Sequence, residues 1–275
     1  MTSSVLRAYD SFQFPFDVHL IEAVKSYLSG MDWAPLLEAE IRNQLGSNQA
    51  TLGVYLLGLE GTDGDTQIVY VGQSEKAIYV RLMKHARNIL DRKGLTPTRV
   101  VFKAAEILML SSMRIETRLI KDFGTKWDKK NPTCGWNGSG FGSNDTGGNR
   151  DAQKTSPFDA RYPIDITLTK PNLFPVGVIP AKLAIEKLSQ GVPYTVRVSP
   201  TDAKHPDLSQ NITFNRTDYT AEDAVRNILK ALPPTWTAKI FFNKIVFEQN
   251  ADSRLAPFNA LTWPDCALNG FACIY

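Results

Sequence analysis

Between Ser74 and Arg92, four polar side chains, Arg81, His85, Asn88 and Arg92, recur at i, i+4, i+7 and i+11. That spacing lines one stripe of an α-helix, and Lys84 and Arg87 flank it. An arginine one turn ahead of a histidine is a useful pair: the guanidinium can grip a phosphate oxygen while the imidazole handles a proton near neutral pH. The same pattern also suits an ordinary solvated helix face, so spacing alone leaves both readings open. Further on, Met113, Glu116, Leu119, Ile120 and Phe123 share one helical stripe. Glu116 then falls within an apolar face, where a carboxylate is costly unless paired or bound to a metal. One reading is a salt bridge to an arginine of the basic helix. The other is a Mg²⁺ site, for which one carboxylate suffices because Mg²⁺ keeps several waters and takes further ligands from substrate phosphate. Two tyrosines complete the set, in Gly53-Val54-Tyr55 and Tyr70-Val71-Gly72. On neighbouring strands they can project toward one site, although aromatics are common in strands.

The elements that must hold these residues are legible in the hydrophobic pattern. Leu20, Ile21, Val24, Tyr27 and Leu28 recur at helical spacing before a stop at Gly30, and a second helix is expected over Ala34–Leu45. The apolar runs Leu52–Leu59 and Gln67–Val71, around a turn rich in glycine and aspartate, read as a β-hairpin. Ser74 can cap a helix running to Arg92; Arg99–Ala105 reads as a third strand, and Ser111 or Ser112 caps a helix through Phe123. The order β-β-α-β-α makes a compact α/β unit. A Gly/Asn/Ser-rich loop covers Cys134–Asn149, and from Pro157 onward the chain is rich in proline. Strands are expected at Tyr194–Val198, Ile212–Phe214 and Lys239–Glu248, with a capped helix starting at Thr220. The expected organisation is an N-terminal helical segment over residues 1–50, a small α/β domain over 51–156 and a second α+β domain over 157–275.

Charge is unevenly spread along the 275 residues. Residues 1–75 carry three basic and ten acidic side chains, residues 76–130 carry 14 and five, and residues 131–275 carry 14 and 13. A basic block between acidic and neutral flanks suits a phosphate-binding face. Three cysteines without C-x-x-C spacing argue against a disulfide framework and a four-ligand zinc site, and three histidines leave little room for multi-histidine metal chemistry. No window approaches 18 uninterrupted apolar residues, which argues against a membrane span, and the N-terminus lacks the layout of a secretory signal. The expectation is a soluble, cytoplasmic protein.

Taken in order, Gly53-Val54-Tyr55, Tyr70-Val71-Gly72, Arg81-x-x-x-His85, Glu116 and Trp136-Asn137 resemble the GIY-YIG nuclease superfamily, over roughly residues 50–150. Valine stands in the middle of both strand motifs, and 14 residues separate them. Within the superfamily the chain looks most like the type II restriction endonucleases, through Ile115-Glu116-x-x-Leu119-Ile120-Lys121 and Gly140-Phe141-Gly142 as well. It departs in one place: Trp127 is followed by Asp128, and Trp136-Asn137 comes nine residues later. An insertion near Asp128–Gly135 reconciles the two, with Asn137 as the family's asparagine and Asn131 as the fallback.

The resemblance implies a small three-stranded sheet flanked by helices, with N-terminal helices and a second, C-terminal α+β domain. It implies an endonuclease that hydrolyses phosphodiester bonds of double-stranded DNA. Glu116 would hold Mg²⁺, for which Mn²⁺ can substitute, and Arg81 would bind the scissile phosphate. Tyr55, or a water it orients, would accept the attacking oxygen's proton, with His85 taking it onward, while Tyr70 and Asn137 shape the site. A tyrosine ionises at about pH 10 and needs help to act as a base, so the identity of the base stays open. Lys84, Arg87 and Arg92, with Arg150 and Lys154 at the domain junction, would supply DNA-binding charge. A restriction enzyme further implies a cognate methyltransferase encoded nearby, and a homodimer where the target is palindromic. The alternatives are a structure-guided or weakly specific nuclease of repair, recombination, mobile elements or antiviral defence, and a catalytically silent DNA-binding module.

Overall fold

The computed structural model describes residues 16–45, 52–74, 77–107, 115–131, 135–142, 156–249 and 259–262. The first half of the chain runs α1 (Phe16–Gly30), β1 (Ala34–Pro35), α2 (Glu38–Leu45), β2 (Gly53–Glu60), β3 (Thr66–Ser74), α3 (Ile78–Ile89), β4 (Val100–Glu106) and α4 (Ile115–Asp122). Its strands form one antiparallel sheet in the order β1-β4-β2-β3. The expected three-stranded sheet thus gains a two-residue fourth strand, where a helix was expected to begin. Proline disfavours helical backbone at the residue before it and cannot donate to a ladder, so Ala34–Pro35 settle on the sheet edge. The helix starts at Glu38 instead, with Glu38 and Glu40 in its first turn, where the helix dipole favours negative charge.

Strand β2 is the axis of this half. Tyr55 and Leu57 pack on one side with Leu36, Ile41, Leu82 and Ile89. Val54 and Leu56 pack on the other with Leu28, Ile115 and Leu119. Burial on both faces explains why β2 reads as an unbroken apolar run rather than an alternation. Each buried aliphatic side chain contributes roughly 1.5–3 kcal/mol. The N-terminal helices are therefore walls of this core and not a separate segment.

Helix α3 is shorter than expected at both ends. The Ser74 hydroxyl accepts a hydrogen bond from the Ala77 amide at 2.9 Å, but the helix begins one residue later. At the other end Asp91 takes a positive φ of 52°, and Arg92 leaves the helix axis to bridge Ile164. The expected start of α4 near Ser111 lies outside the described residues.

The second half runs α5 (Pro157–Arg161), β5 (Thr169–Lys170), β6 (Gly177–Pro180), α6 (Ala181–Gly191), β7 (Thr195–Val198), β8 (Asn211–Phe214), β9 (Tyr219–Thr220), α7 (Ala221–Ala231), β10 (Trp236–Ile240), β11 (Lys244–Gln249) and β12 (Asn259–Thr262). Its main sheet has the order β12-β10-β11-β7, with β11 and β7 parallel. The Thr220 hydroxyl caps α7 by accepting from the Asp223 amide at 2.9 Å. The single strand expected over Lys239–Glu248 is a hairpin, closed by the Phe241 amide on the Lys244 carbonyl at 2.8 Å. Helix α6 was not anticipated, although Ala181, Ala184, Ile185 and Leu188 are buried at helical spacing. The protein is mixed α and β throughout, as the pattern of elements implies. Among the described residues no helix is long and apolar enough to cross a membrane.

The boundary between the halves falls later than residue 156. Phe158 and Tyr162 pack with Trp136 and Phe141 in the first core, while the second core begins at Ile164. The second half docks against a buried ion pair at the end of the first. Arg92 Nη1 lies 2.8 Å from Asp159 Oδ1, and the tip of the β10–β11 hairpin contributes Asn243 Nδ2 to Asp159 Oδ2 at 2.8 Å.

Candidate active site

The two strand motifs meet across the β2–β3 ladder. Tyr55 stands opposite Gly72, and Tyr70 opposite Leu57. The rings of Tyr55 and Tyr70 lie on the same side of the sheet, with centroids 6.2 Å apart. Both motif glycines are dictated by close approach. A Cβ on Gly72 would fall 2.2 Å from Tyr55 Cζ, and one on Gly53 would fall 2.0 Å from the Ala105 carbonyl oxygen. Gly72 is thus the seat on which the Tyr55 ring rests.

Helix α3 brings His85 over this pair. Its imidazole is buried, and Nε2 lies 2.9 Å from the Tyr55 hydroxyl. Phe141 stacks on the imidazole from behind, with centroids 4.7 Å apart and planes 16° apart. Of the two readings left open for this helical stripe, the ordinary solvated face does not hold, because the stripe faces inward. Arg81 is half-buried and lines the cleft, while His85 and Asn88 are buried; Lys84 and Arg87 stay on the surface. Arg92 does not join a phosphate-binding face. Its side chain is 2% exposed and held by Asp159, so its charge is spent inside the fold. Arg150 and Lys154 lie outside the described residues.

A cleft of about 1000 Å³ opens beside the tyrosines. Tyr55, Tyr70, Arg81, Glu116 and Asn137 all line it, although they come from five separate places in the chain. Glu116 sits in the first turn of α4, one position past Ile115, whose side chain is fully buried against the sheet. That offset turns the carboxylate out of the core. Glu116 is half-buried and faces the cleft, which corrects the reading that placed it within an apolar stripe.

Asn137 is the brace of the site. Its Oδ1 accepts from the Val71 amide at 2.9 Å, and its Nδ2 donates to the Val71 carbonyl at 2.8 Å. The side chain thereby covers the open edge of β3 as a neighbouring strand would. Its own backbone carbonyl accepts from the Trp127 amide at 2.8 Å. The chain leaves at Trp127, turns through an Asp128–Asn131 bridge and comes back beside it at Asn137. The fallback residue Asn131 is exposed on that turn and does not line the cleft.

Several cleft residues have no role in the site as read from sequence: Gln73, Lys121, Lys126, Trp127 and Asp128. Lys121 follows Glu116 by slightly more than one helical turn, a signal that was legible. Gln73 follows Gly72 on β3, and Lys126, Trp127 and Asp128 lie where the 127–137 excursion leaves the sheet edge. Arg81, Lys121 and Lys126 line the cleft together with Glu116 and Asp128, a mixture suited to an anionic substrate accompanied by a cation. Among the described residues no group of three or more His, Cys, Asp or Glu could hold a metal by protein ligands alone. One carboxylate lining an open cleft does fit an ion that keeps its waters and shares the substrate's phosphate. No protein-family model matches the chain, and no curated protein matches it in sequence.

Proposed function

We propose that this protein is a Mg²⁺-dependent DNA endonuclease of the GIY-YIG type, acting as a sequence-specific type II restriction enzyme. One observation carries the reading: Tyr55, Tyr70, Arg81, Glu116 and Asn137, far apart in sequence, line one cleft, with His85 bonded to Tyr55. A chance scatter of common residue types has no reason to converge in that way.

Each residue has a task under this reading. Arg81 binds the scissile phosphate and offsets the charge that grows on its oxygens. Glu116 holds the divalent ion, which when bound supplies charge neutralisation at the phosphate and leaving oxygen. The Tyr55 hydroxyl donates to His85 Nε2, leaving its oxygen lone pairs to accept from a water in the cleft. As the water oxygen bonds to phosphorus, its proton passes to the Tyr55 oxygen and the phenolic proton moves to Nε2. The bond from phosphorus to the leaving oxygen then breaks. Phe141 fixes the plane of the imidazole, and Asn137 keeps β3 and the Trp127 loop in register. Lys84 and Arg87, exposed on α3, would bring positive charge to flanking phosphates; the second domain supplies target recognition, self-association or partner binding.

Digestion of long phage DNA by the purified protein in Mg²⁺ or Mn²⁺, with the ends mapped, tests this. Discrete fragments with a common end sequence are expected. Cleavage confined to branched or distorted sites would favour the structure-guided alternative. DNA bound but left intact under both metals refutes the enzymatic reading.

A further inference from the structure

Next to the cleft lies a second cavity of about 460 Å³, and the two share Trp127 as a common wall. The linings differ in kind. The cleft carries charged side chains, whereas the second cavity is floored by Trp136, Phe158 and Tyr162, with Ala160 and Arg161 on its exposed side. The floor is rigid. Trp136 meets Phe158 edge-on at 5.2 Å and Tyr162 at 6.1 Å, and α5, which carries Phe158, is pinned by the buried Asp159. The Arg161 guanidinium lies 5.3 Å from the centre of the Tyr162 ring. Trp127 is half-buried and anchored through its amide to Asn137, so the dividing wall is fixed to the same residue that braces β3.

A cavity of this volume, mostly apolar with a single cation at its margin, has the profile of a site for a small planar ring. Indole and phenol faces beside a guanidinium favour stacking of a heteroaromatic ring in particular. The two cavities therefore offer charge on one side of an indole and a stacking surface on the other. Phosphate and base are disposed in that way within one nucleotide. The geometry points to a nucleobase subsite between Trp127 and the Trp136–Tyr162 floor, taking an unpaired base of the strand whose phosphate occupies the cleft. This rests on the DNA-cleaving function above. A base inside a duplex must leave its stack to enter, whereas a bulged base is already out. DNA with an unpaired base beside the bound phosphate is thus the preferred ligand.

Two labelled duplexes of the same sequence, one fully paired and one with a single-base bulge, are titrated with the full-length protein in EDTA and followed by anisotropy. The wild type binds the bulged duplex about tenfold more tightly or better, the effect of one base stacked on an aromatic ring. Trp127→Ala removes that preference, while Trp127→Phe retains most of it. Ala160→Trp, which fills the cavity from its exposed side without touching the cleft, also removes it, and decides the matter if Trp127→Ala melts early. Equal affinity of the wild type for both duplexes, or a preference that survives both Trp127→Ala and Ala160→Trp, overturns the subsite and leaves the nuclease reading standing. Failure to bind either duplex overturns the DNA reading and the subsite with it.

Discussion

Asp159→Asn tests the buried ion pair against which the second half docks. Arg92 and Asp159 are 2% and 0% exposed in their side chains and lie 2.8 Å apart. The arginine also donates to the Asn88 carbonyl at 3.1 Å and the Tyr162 carbonyl at 2.8 Å. The carboxylate accepts from the Ser156 hydroxyl and from Asn243 Nδ2, each at 2.8 Å. Asparagine keeps the shape but removes the charge and puts an amide donor among groups that are themselves donors. Breaking a buried pair from one side costs roughly 3–5 kcal/mol, because the remaining ion is left without its counter-charge. Against a typical stability of about 5–15 kcal/mol that is roughly a fifth of the total or more. Urea denaturation followed by circular dichroism and tryptophan fluorescence should show the unfolding free energy falling by that amount. The double variant Arg92→Met/Asp159→Leu should recover most of the loss, since it also removes the cost of burying the charges. A loss below about 1 kcal/mol for Asp159→Asn, well short of the buried-pair value, would refute this account of the junction. The same geometry forbids a direct role in DNA binding. Arg92→Gln should therefore leave the slope of log affinity against log salt unchanged, whereas loss of one phosphate contact would lower it by about 0.9.

Three more outcomes follow from the site and the second core. Glu116→Gln should fold with wild-type melting temperature, bind DNA and fail to cleave it in Mg²⁺; cleavage at near wild-type rate would remove Glu116 from the chemistry. Gly72→Ala alters no functional group, yet its Cβ would lie 2.2 Å from Tyr55 Cζ and 2.3 Å from the hydroxyl oxygen. It should cost about 1–3 kcal/mol and slow cleavage about 100-fold by moving the phenol, and an unchanged rate in single-turnover kinetics would contradict that packing. Burial, followed by the charges of Asp91 and Asp165, pushes the Tyr194 phenol well above its ordinary range. The unfolded chain ionises this group at about pH 10 and the folded chain does not. Its stabilising effect is therefore complete below that pH and is lost above it, at about 1.4 kcal/mol per pH unit. Tyr194→Phe should flatten the alkaline fall in denaturation midpoint, and an unaltered slope would mean that the phenol ionises equally in both states.

Short-range signals in the chain set the local elements around the site. The 52–71 hairpin, the strand near Arg99, the carboxylate on the helix after it and the Thr220 cap are all set by neighbours in the chain. Their signals are short-range: turn chemistry, side-chain period and a capping hydroxyl. Tertiary structure decided which face of each element is covered. His85 and Asn88 belong to a stripe that local pattern could leave in water, and the Tyr55–Phe141 side of the sheet buries them. Arg92 looks like a surface cation until Asp159, 67 residues later, arrives beside it. Glu116 leaves its apolar surroundings because Ile115 takes the place against the sheet. Asn137, and not Asn131, reaches the site because an excursion of unremarkable sequence returns to the edge of β3. A period of 3.6 or 2 states which residues share a face; it carries no information about what will pack on that face, because the partner comes from elsewhere in the chain.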